Sequence, residues 1–82
     1  MIFIHLDSIE TATKLVKVCE QYNECDIDVV YGRHTVDGRS LLGVTSFSGK
    51  IVNIVPITDN SLFITYLTRD LKEIGAWVAE DN

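Results

Sequence analysis

Over its first 22 residues the chain changes hydrophobic period once, from two to about 3.6, and this restricts the folds open to it. In "MIFIHL", Ile2, Ile4 and Leu6 fall on one side and Phe3 and His5 on the other. That is the alternation of a strand with one covered face. From Ile9 onward, Ile9, Ala12, Leu15, Val16, Cys19 and Tyr22 recur at helical spacing, with Lys14, Lys17 and Glu20 on the opposite side. Asp7 followed by Glu10 has the spacing of a capping box at the helix entry. A chain that opens strand-then-helix must lay an apolar helix stripe on an apolar sheet face, which points to a layered sandwich.

The rest of the chain continues the interleaving. "DIDVVYGRHTVDG" predicts a hairpin. Ile27, Val29 and Tyr31 alternate with Asp26, Asp28 and Val30, Gly32 supplies the turn, and Asp37-Gly38 ends the return arm. Ser40 to Phe47 predicts a short helix with Ser40 as its N-cap, and Ser48-Gly49 ends it. Gly43 lowers helix propensity but permits close approach to a neighbouring surface. "KIVNIVPIT" is β-branched and apolar, a strand that Pro56 closes. In the last third, Ile64, Leu67, Leu71, Ile74 and Val78 step by three and four, with Asp59, Asn60 and Ser61 as possible caps. Gly75 ends that helix and leaves Ala76-Trp77-Val78 as a packed tail. The expected fold is a single α+β domain over residues 1–82. It is a two-layer open-faced sandwich with a four-stranded antiparallel sheet and helices on one face, in the order strand-helix-strand-strand-helix-strand-helix. The other sheet face, with Asp26, Asp28 and His5, is expected to meet solvent.

Charge and composition narrow the function classes. Seven Lys and Arg stand against 12 Asp and Glu, a net charge of −5, which repels a phosphate backbone and argues against nucleic acid as a partner. Arg33, His34 and Arg39 form the one local basic spot. No apolar run approaches the roughly 20 residues of a membrane span. There is no signal-peptide pattern, so the expected location is the cytoplasm, with Cys19 and Cys25 reduced. Cys19 lies on the helix stripe and reads as a core thiol. The histidines and cysteines are not at zinc spacing, and no Gly-rich phosphate loop or Cys/His pair stands out. No catalytic residue, metal or cofactor is expected.

Two stretches carry a resemblance: "ATKLVKVCEQYNECDIDVVYG" and "VDGRSLLGVTSF". Together with the element order they resemble HPr, the phosphocarrier family of the bacterial sugar phosphotransferase system, from about Ala12 onward. In that family a basic residue, a serine and two apolar residues open the second helix; here they are Arg39, Ser40, Leu41 and Leu42. The resemblance implies that Ser40 occupies the regulatory phosphorylation position. A phosphate there would meet the free N–H groups of a helix start. Leu41, Leu42, Val44 and Phe47 would then form an apolar patch beside it.

The family's phosphocarrier motif, Gly-(Ile/Leu)-His-x-Arg-Pro-Ala, is degenerate here. The matching segment is "LDSIETA": Ser8 stands for the histidine, Glu10 for the arginine and Thr11 for the proline. The imidazole, the cation and the stiff helix entry are lost together, and Glu10 would repel a phosphoryl group. The resulting expectation is a non-enzymatic, regulatory or partner-binding relative, docking proteins such as HPr kinase or phosphotransferase-system components. Its docking residues are expected to be Ser8, Thr11, Arg39, Leu42, Thr45 and Phe47. Two alternatives stand beside it. One is a phosphocarrier whose histidine has moved to His5 or His34. The other is a ferredoxin-like module that binds a small ligand or dimerises through its open sheet face.

Overall fold

A computed structural model describes residues 2–78. The elements are β1 (Ile2–His5), α1 (Ile9–Gln21), β2 (Ile27–Tyr31), β3 (His34–Asp37), α2 (Leu41–Thr45), β4 (Ile51–Pro56), α3 (Ser61–Lys72) and β5 (Trp77–Val78). The sheet is antiparallel throughout, in the order β3-β2-β4-β1-β5. The class is α+β with an open sheet and three helices. The sheet has five strands rather than the four expected. Gly75, at φ +88°, turns the chain out of α3. The supposed tail then runs along the outer edge of β1: Phe3 pairs with Val78, Ile4 with Trp77, and the His5 N–H bonds to the Ala76 carbonyl at 3.0 Å. Three residues are too few to show a period of two, so this strand left no signal in the sequence. Val78 accordingly belongs to β5 and not to the α3 stripe.

Register explains which face is covered. Ile2 pairs with Ile54, Ile4 with Val52, and Val29 with Ile54, so these side chains share one face. They are buried with Leu15, Cys19, Phe63, Leu67 and Leu71 from α1 and α3, and with Val44 from α2. All three helices therefore lie on that face. The hairpin turn is Gly32-Arg33, with Gly32 at φ +59° and, among the described residues, no non-glycine residue at positive φ, the pattern of a II′ turn matched to strand twist. Pro56 is the last residue of β4, where a missing N–H costs the ladder least.

The assignments at the entry of α1 need correction. Ser8, not Asp7, caps α1: it is extended (φ −158°, ψ 164°) and its oxygen accepts the Thr11 N–H at 3.1 Å. Glu10 does not close a capping box but sits 3.4 Å from Lys14 one turn on, an exposed pair of little energetic consequence. Ile9 is off the buried stripe and 69% exposed, whereas Thr11 and Ala12 of the same turn are buried. In α3 the cap is Asn60, whose Oδ1 accepts from Leu62 and Phe63.

The C-terminal end of α1 is tied down twice. The Tyr22 hydroxyl donates to Asp70 on α3, and its ring meets Phe63 edge-on at 5.3 Å. Asp70 is therefore half-buried and engaged.

Candidate functional site

Helix α2 has only five residues, and its position depends on its neighbours. Ser40 is extended (φ −93°, ψ 105°), and its Oγ accepts the Gly43 N–H at 3.1 Å. The Ser40 carbonyl accepts the Val44 N–H at 2.9 Å. A β-carbon on Gly43 would lie 3.1 Å from Val36 Cβ and 3.2 Å from Ser40 Oγ, so the glycine lets α2 sit closely on β3. Thr45, Ser46 and Ser48 each donate their hydroxyl to a backbone carbonyl three residues back. Each of these carbonyls also accepts a backbone N–H, so the hydroxyls are second donors that reinforce the end of a very short helix.

The apolar residues of this segment divide. Val44 is fully buried and Phe47 nearly so, its ring 5.9 Å from that of Tyr31. Both belong to the core and not to the docking patch expected of them. Leu42 is 85% exposed and Leu41 45%, and these two, with the exposed Ser40, form the outward face. Thr45 is half-buried. Arg39 is not part of the outward face either. Its guanidinium turns back under the chain and donates to the carbonyls of Tyr22 and Cys25, the latter at 2.6 Å. This arginine clamps the end of α1 to the loop before β2. It is a structural role that the sequence pattern does not reveal, because its partners are backbone atoms.

At the start of α1, three oxygens form a chain. The Thr11 hydroxyl donates to Asp7 Oδ1 at 2.7 Å, and Ser8 Oγ lies 3.1 Å from Thr11 Oγ1. Thr11 spends its one proton on Asp7, so Ser8 is the donor to Thr11. The Thr11 bond holds the Asp7 carboxyl below its ordinary pKa. Thr11 is buried and hence unavailable to a partner, whereas Ser8 and Ile9 are exposed. Asp7 and Glu10 flank Ser8, so the nearest charges in sequence oppose a phosphoryl group there.

The two regions expected to act together are bonded neighbours. The Leu6 N–H donates to the Lys50 carbonyl at 2.9 Å, and the Gly49 N–H donates to the Leu6 carbonyl at 2.7 Å. The turn leaving α2 is thereby fixed beside the residues that open α1. Ile9 on one side and Leu41 and Leu42 on the other are exposed apolar residues on these linked segments, and Ile9 is the one that the sequence assigned to the core.

The histidines do not converge. His5 is exposed on β1 and His34 is exposed on β3, with β4 and β2 between them. Three strand spacings of about 4.8 Å separate their backbones by roughly 14 Å. The expected basic spot is also divided, since Arg39 points inward while Arg33 and His34 stay at the hairpin turn. Cys19 is buried, and burial pushes its thiol up to about 12, consistent with a core thiol. Among the described residues no three His, Cys, Asp or Glu side chains are grouped to hold a metal ion. Nor, among them, is any helix long and apolar enough to cross a membrane. No family model, curated protein or solved structure matches the chain.

Proposed function

We propose that this chain is a non-enzymatic, cytoplasmic protein-binding module of HPr-like type, which docks partner proteins through the outer face of α2 and the adjoining start of α1, with Ser40 as a regulatory phosphorylation position. The observation that carries the reading is Leu42, a large apolar side chain left 85% exposed on a helix whose Val44 packs inward, as does Phe47 just beyond its end. Exposed leucine beside exposed Leu41 and Ile9 is a small contact surface of the kind partner proteins cover. The docking residues are accordingly Ser8, Ile9, Ser40, Leu41 and Leu42. Ser40 is accessible, and its Oγ already accepts a backbone N–H, the contact a phosphate oxygen would take over. Phosphorylation would add about −1.5 to −2 charges at the edge of the apolar patch and change which partners fit.

The degenerate "LDSIETA" segment supports binding over phosphoryl relay. Ser8 caps a helix beside two acids, and His5 and His34 lie on separate strands with β4 and β2 between them, too far apart to share a phosphoryl group. Intact-mass spectrometry after two incubations tests the reading, one with HPr kinase and ATP, the other with enzyme I and phosphoenolpyruvate. The expected result is a one-phosphate gain with the kinase alone, lost in Ser40→Ala. No gain with the kinase, or a gain unchanged in Ser40→Ala, overturns the regulatory role. An acid-labile gain with enzyme I overturns the loss of carrier chemistry.

A further inference from the structure

The sheet face opposite the helices is not the plain solvated surface that Asp26, Asp28 and His5 suggested. Its central row, read across the strands in register, is Val78, Phe3, Asn53, Val30 and Thr35. Phe3, Asn53 and Val30 are half-buried although no helix lies on them. On one side of this row Asp28 stands directly opposite Asp37, with Val55 beside Asp28 on β4. On the other side are Ile51, 51% exposed, and Arg33 in the turn that starts β3. The face thus has an apolar middle, an acidic end and a cationic end. At its centre Asn53 Oδ1 is shielded from solvent and accepts no hydrogen bond from the described residues, an unmet acceptor of the kind folded proteins seldom leave.

We propose that a second copy of this chain covers this face, related by a two-fold axis that lies in the interface, perpendicular to the strands and along the central row. In an isologous contact each residue on the axis meets itself. Val30 then faces Val30. Asn53 faces Asn53, and an amide carries both donor and acceptor, so the pair can exchange hydrogen bonds after a side-chain rotation. Off the axis the acidic and cationic ends exchange: Asp37 of one copy comes over Arg33 of the other, and Val55 over Ile51. The alternative two-fold axis, parallel to the strands and along the central β4, would set β2 over β1 and β3 over β5, so Arg33 of one copy would not reach the Asp28–Asp37 pair of the other. Charge therefore selects the first arrangement. It also supplies a cation for the aspartate pair, which the single chain leaves facing itself across the ladder. The surface is separate from that of Leu41 and Leu42, so the dimer does not rest on the docking reading above.

The size of the face sets its strength. Five strands at about 4.8 Å and some five residues at about 3.3 Å give a flat footprint near 400 Å². This is roughly half of a standard interface side, in the size range of weak and transient contacts.

Sedimentation equilibrium from about 5 μM to 1 mM, paired with an amide-shift dilution series, tests this. The wild-type mass should climb from 9.2 kDa toward twice that value. On dilution, shifts should move at Phe3, Val30, Thr35 and Asn53. Arg33→Glu, in an exposed turn, should weaken association at least tenfold at low salt without changing the melting temperature at 5 μM. Val30→Lys should abolish association. A mass that stays at 9.2 kDa at 1 mM overturns the proposal. So does a dimer that survives both substitutions, or dilution shifts confined to Leu41 and Leu42, since either places the contact elsewhere.

Discussion

The β-carbon that Gly38 lacks would lie 2.9 Å from the Cys19 sulfur and 3.0 Å from the Ile27 carbonyl oxygen. The Gly38 N–H also donates to that carbonyl at 2.8 Å, so the turn between β3 and α2 is pressed against both β2 and α1. A side chain here would push α2 away from the core that positions it. Gly38→Ala should destabilise the fold by about 1–3 kcal/mol, the usual range for overpacking. Pairing it with Cys19→Ala should recover only part of the loss, because the Ile27 carbonyl remains in the way. A double-mutant cycle in urea measures this coupling; strict additivity would mean that sulfur and turn do not meet.

Arg39 holds two backbone carbonyls from Tyr22 and Cys25 with one guanidinium. Hydrogen bonds that involve a charged group contribute about 1.5–3 kcal/mol each, net of the water they replace. Arg39→Met keeps much of the bulk and removes both bonds. It should cost about 2 kcal/mol in chemical denaturation and speed amide exchange in the 22–26 loop. Unchanged exchange there would show that the clamp is not what orders the loop.

Asp28 and Asp37 face one another in the β2–β3 ladder. Like charges directly opposite destabilise a sheet by about 0.2–1 kcal/mol. Asp28→Asn should therefore raise stability by roughly 0.5 kcal/mol at low salt. The gain should shrink as salt is added, and it is read at low micromolar protein, where single chains dominate. Asp37 is the wrong member to change, since its Oδ1 also accepts the Arg39 N–H at 2.9 Å. A loss of stability in Asp28→Asn would show that the pair is compensated within the chain.

Burial and the Asp70 carboxylate push the Tyr22 hydroxyl up to about 12 from its ordinary 10. The folded chain thus holds this proton more tightly than the unfolded chain does. The stability it contributes is complete below pH 10 and is lost as pH rises through 12. Tyr22→Phe should be less stable than wild type at pH 8, with the difference narrowing between pH 10 and 12. Thermal melts across that range check the sign; a gap that widened with pH would refute the Tyr22–Asp70 link.

Much of the fold is legible in local pattern. The alternation in "MIFIHL", the stripe from Ala12 to Cys19 and the Gly32 turn each specify an element without help from the rest of the chain, because side-chain period and turn chemistry act within a few residues. Ser40 as a helix cap and Gly43 as a point of close approach were legible for the same reason. Other features depend on what lies across the molecule. The apolar run Leu41–Phe47 does not say which members face inward, and only packing on Tyr31 and β3 divides Leu42 from Phe47.

By itself the sequence determined the order of the first seven elements and the strand–helix layering, since these are read from neighbouring residues. The tertiary structure decided the fifth strand, the inward turn of Arg39, the exposure of Ile9 and the row that joins Phe3, Asn53 and Val30. Each of these brings together residues distant along the chain. Strand register and backbone carbonyls fix them, and neither has a side-chain signature that a linear pattern can show.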